Sequence, residues 1–131
     1  LLALVAPDVV YEDVAVGDRV DGVDAFRRLL AEAHAGIPDF RVELFSGVVA
    51  GDTAAAEYAV TGSQQGRLPY LAAEDRPFRL RAASIFTLTP AGDRIQRESR
   101  YYNMLSFLNQ LGAIPAADEP PLGTPEADPP G

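Results

Sequence analysis

The sequence has 131 residues, of which 47% are hydrophobic and 23% are charged, as expected for a single globular domain. Nineteen acidic and 11 basic residues give a formal net charge of −8, which argues against nucleic acid or an anionic membrane as a partner. The lack of cysteine excludes disulfides and thiolate chemistry, and the single histidine, His34, excludes a metal site built from several histidines. No apolar run is long enough to span a bilayer, and we expect a cytoplasmic protein.

The first forty residues alternate between short apolar runs and turn-forming residues. Residues 1–6 are apolar, but the run is short and no basic segment precedes it. We therefore interpret it as the last turn of a helix that Pro7 ends, rather than as a signal peptide. Residues 9–14 predict a strand and residues 17–19 a turn. Apolar residues at helical spacing then predict a helix ended by Gly36 and Pro38, with the stripe Phe26, Leu29, Leu30 and Ala33.

The middle and end of the chain predict two long β-hairpins followed by a short helix. Turn-forming residues at 51–52 and 90–93 separate apolar, β-rich runs, which predict antiparallel strands over residues 40–50, 54–63, 78–88 and 95–103. A closing helix is indicated by Leu105, Phe107, Leu108 and Leu111. Helices first and hairpins last is the pattern of an α+β fold.

We divide the chain into one domain over residues 1–115 and an acidic, proline-rich tail over residues 116–131. The tail is expected to be extended or disordered, and a course along a neighbouring surface is the alternative. Residues 64–69 form a loop at one end of the predicted sheet, which is either a lid over a cavity or a plain connection.

Three parts of the sequence carry a family likeness. They are residues 6–13 (Ala-Pro-Asp-Val-Val-Tyr-Glu-Asp) with 21–26, residues 76–86, and residues 93–112, which include Tyr-Tyr-Asn at 101–103. Together they resemble the SnoaL-like polyketide cyclases and steroid delta-isomerase-like proteins of the nuclear transport factor 2-like superfamily. The resemblance covers residues 1–115. It implies a curved antiparallel sheet wrapped around helices in a cone, with the family's first helix missing from this sequence.

The resemblance and strand alternation together give an expected set of pocket residues. Steroid isomerase-like relatives imply an inward set of Asp13, Tyr58, Val60, Ser84, Glu98, Arg100 and Tyr102. Further substrate contacts are expected from Tyr11, Phe26, Leu30 and Phe86. Alternation alone leaves open whether the last strand turns Glu98, Arg100 and Tyr102 inward or outward.

Asp13 is the expected general base. Steroid isomerase-like proteins carry their base in an acidic motif followed by a glycine-containing turn, which Glu-Asp-Val-Ala-Val-Gly at residues 12–17 matches at Asp13. A poorly hydrated carboxylate at the mouth of an apolar cone can remove a proton from a carbon next to a carbonyl. The alternative is structural, with Asp13 capping a turn or pairing with Arg19 or Arg100.

Two positions depart from the family patterns. The resemblance implies an acidic hydrogen-bond donor where this sequence has Ser84, and many SnoaL-like relatives carry a carboxylate where it has Asn103. A serine hydroxyl is a weaker donor for an enolate, and an amide cannot act as a general base. Both departures favour a non-catalytic binding protein.

Glu98 and Arg100 lie two residues apart on one predicted strand and therefore share a face. If they point inward, they resemble the carboxylate and arginine of limonene epoxide hydrolase-like members. If they point outward, they form a solvated or interfacial pair.

We expect an acid–base enzyme of isomerase or cyclase type that acts on a small hydrophobic cyclic or polyketide-like substrate. Asp13, Glu98 and Arg100 are the expected catalytic residues. We expect no metal and no organic cofactor. We also expect a homodimer that forms through the outer sheet face. The alternatives are an epoxide hydrolase or polyether-type cyclase, a non-catalytic small-molecule-binding protein, and a protein-interaction adaptor.

Overall fold

The computed structural model of the chain describes residues 2–66, 75–113 and 127–130. Residues 67–69 of the predicted loop and residues 116–126 of the predicted tail lie outside these ranges. Within them, a 3-10 turn at Leu2–Leu4 precedes six strands and two helices. In chain order these are β1 (Val5–Asp13), β2 (Asp18–Asp21), α1 (Val23–Gly36), β3 (Arg41–Ala50), β4 (Thr53–Gln64), β5 (Arg76–Leu88), β6 (Ile95–Tyr102) and α2 (Met104–Gln110).

The predicted helices and hairpins are confirmed, but the prediction at the amino end is wrong. Helical structure there is limited to the 3-10 turn, and Pro7 lies inside β1 instead of ending a helix. Proline lacks the N–H that a strand ladder uses, and the pairing of β1 with β6 shifts register between Val5 and Val10. The irregularity therefore accommodates the proline within the strand.

All strands belong to one mixed sheet in the order β2-β1-β6-β5-β4-β3. Four of the neighbouring pairs are antiparallel, and β1 and β6 run parallel. The α+β prediction is confirmed, whereas the expectation of a purely antiparallel sheet is wrong at this one pair. Its partners are far apart in sequence, so no turn signal could have revealed their direction.

One face of the sheet, here called the inner face, carries both helices. Phe26 of α1 packs on Tyr11 of β1 at 5.5 Å between ring centroids, and Phe107 of α2 packs on Phe78 at 5.0 Å and Tyr102 at 6.4 Å. The register puts Tyr11 opposite Glu98 and therefore on the same face as Tyr102. The last strand thus turns Glu98, Arg100 and Tyr102 inward.

Two apolar clusters form the core on the inner face. The first joins α1 to β1 through Val5, Val9, Tyr11 and Phe26. The second joins α2 to β4 and β5 and contains Ile37, Tyr58, Val60, Phe78, Leu80, Ala82, Phe107 and Leu111. Neither cluster reaches the edge strand β3, where Val42, Leu44 and Val49 are exposed. The helices therefore bury the centre of the inner face and leave its β3 side open.

A glutamine side chain closes part of the free edge of β5. The pairing of β5 with β6 ends at Ala82 and Tyr102, which leaves the first residues of β5 without that neighbour. Gln110 of α2 accepts a hydrogen bond from the Arg79 N–H at 2.8 Å and donates one to the Arg79 carbonyl at 2.9 Å. The amide thus replaces a strand and ties α2 to the sheet.

Arginines occupy the opposite, outer face of β5. Arg81 pairs with Glu57 at 2.9 Å, and Arg79 pairs with Glu43 at 3.5 Å and with Asp128 of the tail. The part of the tail that is described therefore contacts the outer face.

Gly62 of β4 provides a test of the packing between α1 and the sheet. An added Cβ would lie 2.5 Å from Cγ2 of Ile37, a branched side chain in the core. We expect Gly62→Ala to lower the free energy of unfolding by about 1–3 kcal/mol, measured by urea denaturation. Gly47→Ala is the matched control, because its Cβ would meet nothing closer than 3.7 Å. Equal stability of the two variants would contradict this packing.

Candidate functional site

A cavity of about 440 Å³ lies between α1, α2 and the inner sheet face. This volume is in the usual range for small-molecule sites. Its wall is mostly apolar, with contributions from α1 (Leu29, Leu30), the C-cap Ile37, β5 (Phe78, Leu80) and α2 (Phe107). Tyr11, Asp13, Arg100 and Tyr102 form a polar group where β1 and β6 meet, and Asp18, Arg19 and Glu32 also line the cavity. The arrangement suits a ligand with an apolar body and one polar end.

Asp13 is the last residue of β1 and lines the cavity. The Tyr102 hydroxyl donates a hydrogen bond to its Oδ2 at 2.9 Å. The Val16 N–H donates to its Oδ1 at 3.1 Å and closes the turn toward β2. In the described part of the chain, the Asp13 carboxylate forms no ion pair with Arg19 or Arg100. It therefore caps a turn, as in the structural alternative, and also faces the cavity.

Arg100 of β6 is the buried cation of the cavity lining, which also includes the exposed Arg19. The register of the parallel pair places it directly beside Asp13. Its guanidinium carbon lies 5.4 Å from the ring centroid of Tyr11 and 5.9 Å from that of Tyr58. Desolvation opposes the charge, but the nearby Tyr11, Tyr58 and Glu98 outweigh it and raise the pKa of Arg100. The guanidinium therefore stays protonated.

Glu98 is the partner of Arg100, but a loose one. Its Oε2 lies 3.5 Å from Nη2 of Arg100, and its side chain is only 15% exposed. Burial raises the pKa of Glu98 even though Arg100 lowers it. Burial also raises the pKa of Tyr11, which keeps that phenol neutral. The ion pair thus does not fully compensate for the loss of hydration at Glu98.

The structure brings together part of the predicted site. Residues that line the cavity are Tyr11, Asp13, Phe26, Leu30, Val60, Arg100 and Tyr102. Four others do not line it, although they share the inner face: Tyr58, Ser84, Phe86 and Glu98. Tyr58 and Ser84 are both buried and join their hydroxyls at 2.7 Å. The Ser84 hydroxyl is therefore engaged with Tyr58 behind the guanidinium.

Sequence reasoning missed much of the apolar wall. Ile37, Phe78 and Phe107 line the cavity and belong to the core, so their pattern in the sequence is that of ordinary packing residues. Asp18 and Arg19 of β2 also line it. They were assigned to a turn, and only the pairing of β2 with β1 would have placed them here.

Asn103 has a structural role. It is the N-cap of α2, and its Oδ1 accepts a hydrogen bond from the Ser106 N–H at 3.0 Å. Asparagine is among the preferred residues at this position. The departure from the carboxylate of many relatives therefore coincides with a helix cap directly after Tyr102.

No group of three or more metal-binding side chains converges within residues 2–66, 75–113 and 127–130. In the same ranges, neither helix has the length and hydrophobicity to cross a membrane.

The family model described as SnoaL-like domain matches residues 1–98. No curated protein matches the chain significantly. A protein of ketosteroid isomerase-like fold from Catenulispora acidiphila DSM 44928, in complex with trimethylamine, is 28% identical with a TM-score of 0.72, over 86% of this chain and 79% of that one.

Two further solved structures are similar. A candidate polyketide cyclase from Pseudomonas putida KT2440 is 28% identical with a TM-score of 0.69, over 83% of this chain and 81% of its own. A candidate SnoaL-like polyketide cyclase from Jannaschia sp. CCS1 has a TM-score of 0.76 at 18% identity, over 86% and 76%. The ketosteroid isomerase-like fold expected from the sequence is confirmed.

Glu98 gives the site a testable pH dependence. Its pKa in the fold lies above the ordinary value of 4.5, so its contribution to stability is present below that value and is lost as the pH rises through the raised pKa. We expect the stability of the wild type relative to Glu98→Gln to fall as the pH rises from acid to neutral, measured by urea denaturation. Glu43→Gln is the control, because Glu43 is largely exposed. The reasoning would be contradicted if the stability of Glu98→Gln relative to the wild type fell between acid and neutral pH.

Proposed function

We propose, because the chain belongs to the SnoaL-like domain family, that it is an acid–base enzyme of isomerase or cyclase type. Its substrate would be a small hydrophobic cyclic or polyketide-like carbonyl compound. The observation that carries the proposal is the Asp13 carboxylate, which faces an apolar cavity, is held by Tyr102 and lies beside Arg100. The candidate polyketide cyclase of Pseudomonas putida is consistent with this class.

Asp13 would act as the general base. One carboxylate oxygen takes a proton from a carbon next to the substrate carbonyl, and the electron pair of the broken C–H bond moves toward the carbonyl oxygen. In an isomerase the same carboxyl group then returns the proton to another carbon. In a cyclase the enolate carbon attacks a second carbonyl carbon of the substrate, the π bond of that carbonyl breaks, and the resulting alkoxide takes the proton back from the carboxyl group. The hydrogen bond from the Tyr102 hydroxyl to Oδ2 of Asp13 fixes the orientation of the carboxylate. A fixed orientation favours proton transfer, because the base is already positioned for the substrate C–H bond.

Arg100 would stabilise the charge that develops on the carbonyl oxygen. A preorganised cation in a poorly hydrated site lowers the free energy of such a transition state. This role replaces the acidic donor that steroid isomerase-like relatives have at the position of Ser84, whose hydroxyl is engaged by Tyr58.

The Glu98–Arg100 pair also favours a second candidate, an epoxide hydrolase or polyether-type cyclase. Both side chains are on the inner face, next to a carboxylate that could hold a water molecule. In that chemistry Asp13 would activate the water or an internal hydroxyl for attack on an epoxide carbon. A non-catalytic binding protein is the third possibility and an outcome of the test below.

Asp13→Asn tests the base. We expect the wild type to accelerate the exchange of the acidic C–H hydrogens of 2-tetralone with deuterium, followed by proton NMR in D2O. The variant should lose about 10²- to 10⁴-fold of that acceleration, because an amide cannot accept the proton. Asp24→Asn is the control, since Asp24 is exposed at the start of α1.

Two results would contradict the assignment. Unchanged exchange in Asp13→Asn would remove Asp13 as the base. A wild type that binds 2-tetralone without accelerating exchange would favour the binding protein or the epoxide chemistry, and the hydrolysis of cyclohexene oxide would then separate these two.

We also propose a homodimer through the outer sheet face. Val48 of β3, Ile85 of β5 and Tyr101 of β6 are exposed there. Ion pairs of both signs, Arg81–Glu57 and Arg97–Glu12, lie on the same face. A patch with an apolar centre and both charges can complement itself across a twofold axis, which makes a second copy the fitting partner.

Ile85→Glu tests the dimer. We expect the wild type to sediment as a dimer and Ile85→Glu as a monomer, because the new charge would be buried opposite its own copy. Leu44→Glu, on the exposed inner side of β3, should leave the dimer intact. A monomeric wild type at high concentration in analytical ultracentrifugation would contradict the proposal.

A further inference from the structure

Arg100 has hydrogen-bonding capacity that its surroundings do not use. Its Nε is shielded from solvent and has no acceptor. Its contact with Glu98 is monodentate and long, at 3.5 Å to Nη2. Leaving a buried charged donor without an acceptor is costly, and each such group in a native structure calls for an explanation, such as a bound ligand, ion or water. The free Nε thus requires an explanation beyond the Glu98 ion pair.

The guanidinium is held in place although its Nε has no acceptor. The rings of Tyr11 and Tyr58 both contact it, and the Tyr58 hydroxyl is fixed by Ser84 at 2.7 Å. Nε and Nη2 lie on the same edge of a planar guanidinium and can bind two oxygens of one planar anion. Arg100 lines the cavity, and displacement of Glu98 from Nη2 would open this two-donor edge to a ligand there.

The charges around this edge limit what can bind. Glu98 and Arg100 on β6 share the site with Tyr11 and Asp13 on β1 and with Tyr58 on β4. A bound anion would face both Asp13 and Glu98 if the two carboxylates kept their charges. Glu98 is the carboxylate more easily displaced and neutralised, because it is buried and its contact with Arg100 is long.

We propose that the Nε and Nη2 edge of Arg100 binds a planar delocalised oxygen anion of the ligand, a carboxylate or the enolate of a 1,3-dicarbonyl, and that Glu98 takes up one proton from solvent as this anion displaces it. This names the substrate class of the proposed enzyme and rests on that function using the same cavity. The fused or aliphatic body of the ligand occupies the apolar wall formed by Phe78, Leu80 and Phe107.

Calorimetry with 2-naphthoate and its neutral isostere 2-naphthamide tests the subsite. We expect the wild type to bind 2-naphthoate at least about tenfold more tightly than the amide, as one charged hydrogen-bonded pair provides. Titration in buffers of different ionisation enthalpy should show uptake of one proton per 2-naphthoate bound. Equal affinity for both probes, or no proton uptake, would overturn the proposal.

Variants of Arg100 and Glu98 distinguish loss of anion binding from loss of folding. Arg100→Met should remove the preference for the anion, and Arg100→Lys should weaken it, because lysine keeps the charge but not the two-donor edge. Glu98→Gln should bind 2-naphthoate more tightly at neutral pH and without proton uptake. Arg27→Met, on the exposed side of α1, is the control and should bind like the wild type. Unchanged 2-naphthoate binding in Glu98→Gln would contradict the displacement even if Arg100→Met failed to fold.

Two arms complete the design. The enolate of 2-phenylindane-1,3-dione is measured beside 2-naphthoate. The anion whose affinity falls more in Arg100→Met is the one that the subsite prefers. Asp13→Asn should tighten 2-naphthoate binding, because a neighbouring negative charge is removed. This result is independent of whether Asp13 is the base in the exchange of 2-tetralone, so the subsite and the proposed activity can fail separately.

Discussion

The parallel pairing of β1 with β6 is the constraint on which the site depends. It sets Asp13 opposite Arg100 and Tyr11 opposite Glu98, although the partners are separated by most of the chain. A shift of this register by one residue would turn every one of these side chains to the other face. The core residues Val9 and Phe26 resist such a shift, because they would lose their burial. Packing beneath α1 therefore determines the geometry of the polar groups.

The burial of Glu98 and Arg100 is electrostatically unfavourable. Glu98 and Arg100 are removed from most of their water, and their contact does not restore what hydration provided. A hydrophobic pair of similar volume would stabilise the fold at least as well. The rings of Tyr11 and Tyr58 nevertheless hold the guanidinium in place.

Much of the fold could be predicted from the sequence because its signals are local. Gly51 and Gly92, in the turns between strands, adopt positive φ angles, and the alternation along β4 and β5 correctly grouped Tyr58 with Val60. Longer-range features were out of reach. Tyr102 and Asp13 are 89 positions apart, and alternation separates two faces without saying which one is inward. The apolar wall was also hidden, since Phe107 has the sequence pattern of any core residue.

The short helix α2 makes the site sensitive to heat. Its seven residues are too few to be helical alone, so it depends on the Asn103 cap, on Phe107 in the core and on the Gln110 contacts with β5. Tyr102 immediately precedes the cap, and its hydroxyl orients Asp13. Fraying of α2 on warming would release that hydroxyl while the six strands stay paired. The geometry around Asp13 would then be lost before the sheet melts and would be restored on cooling.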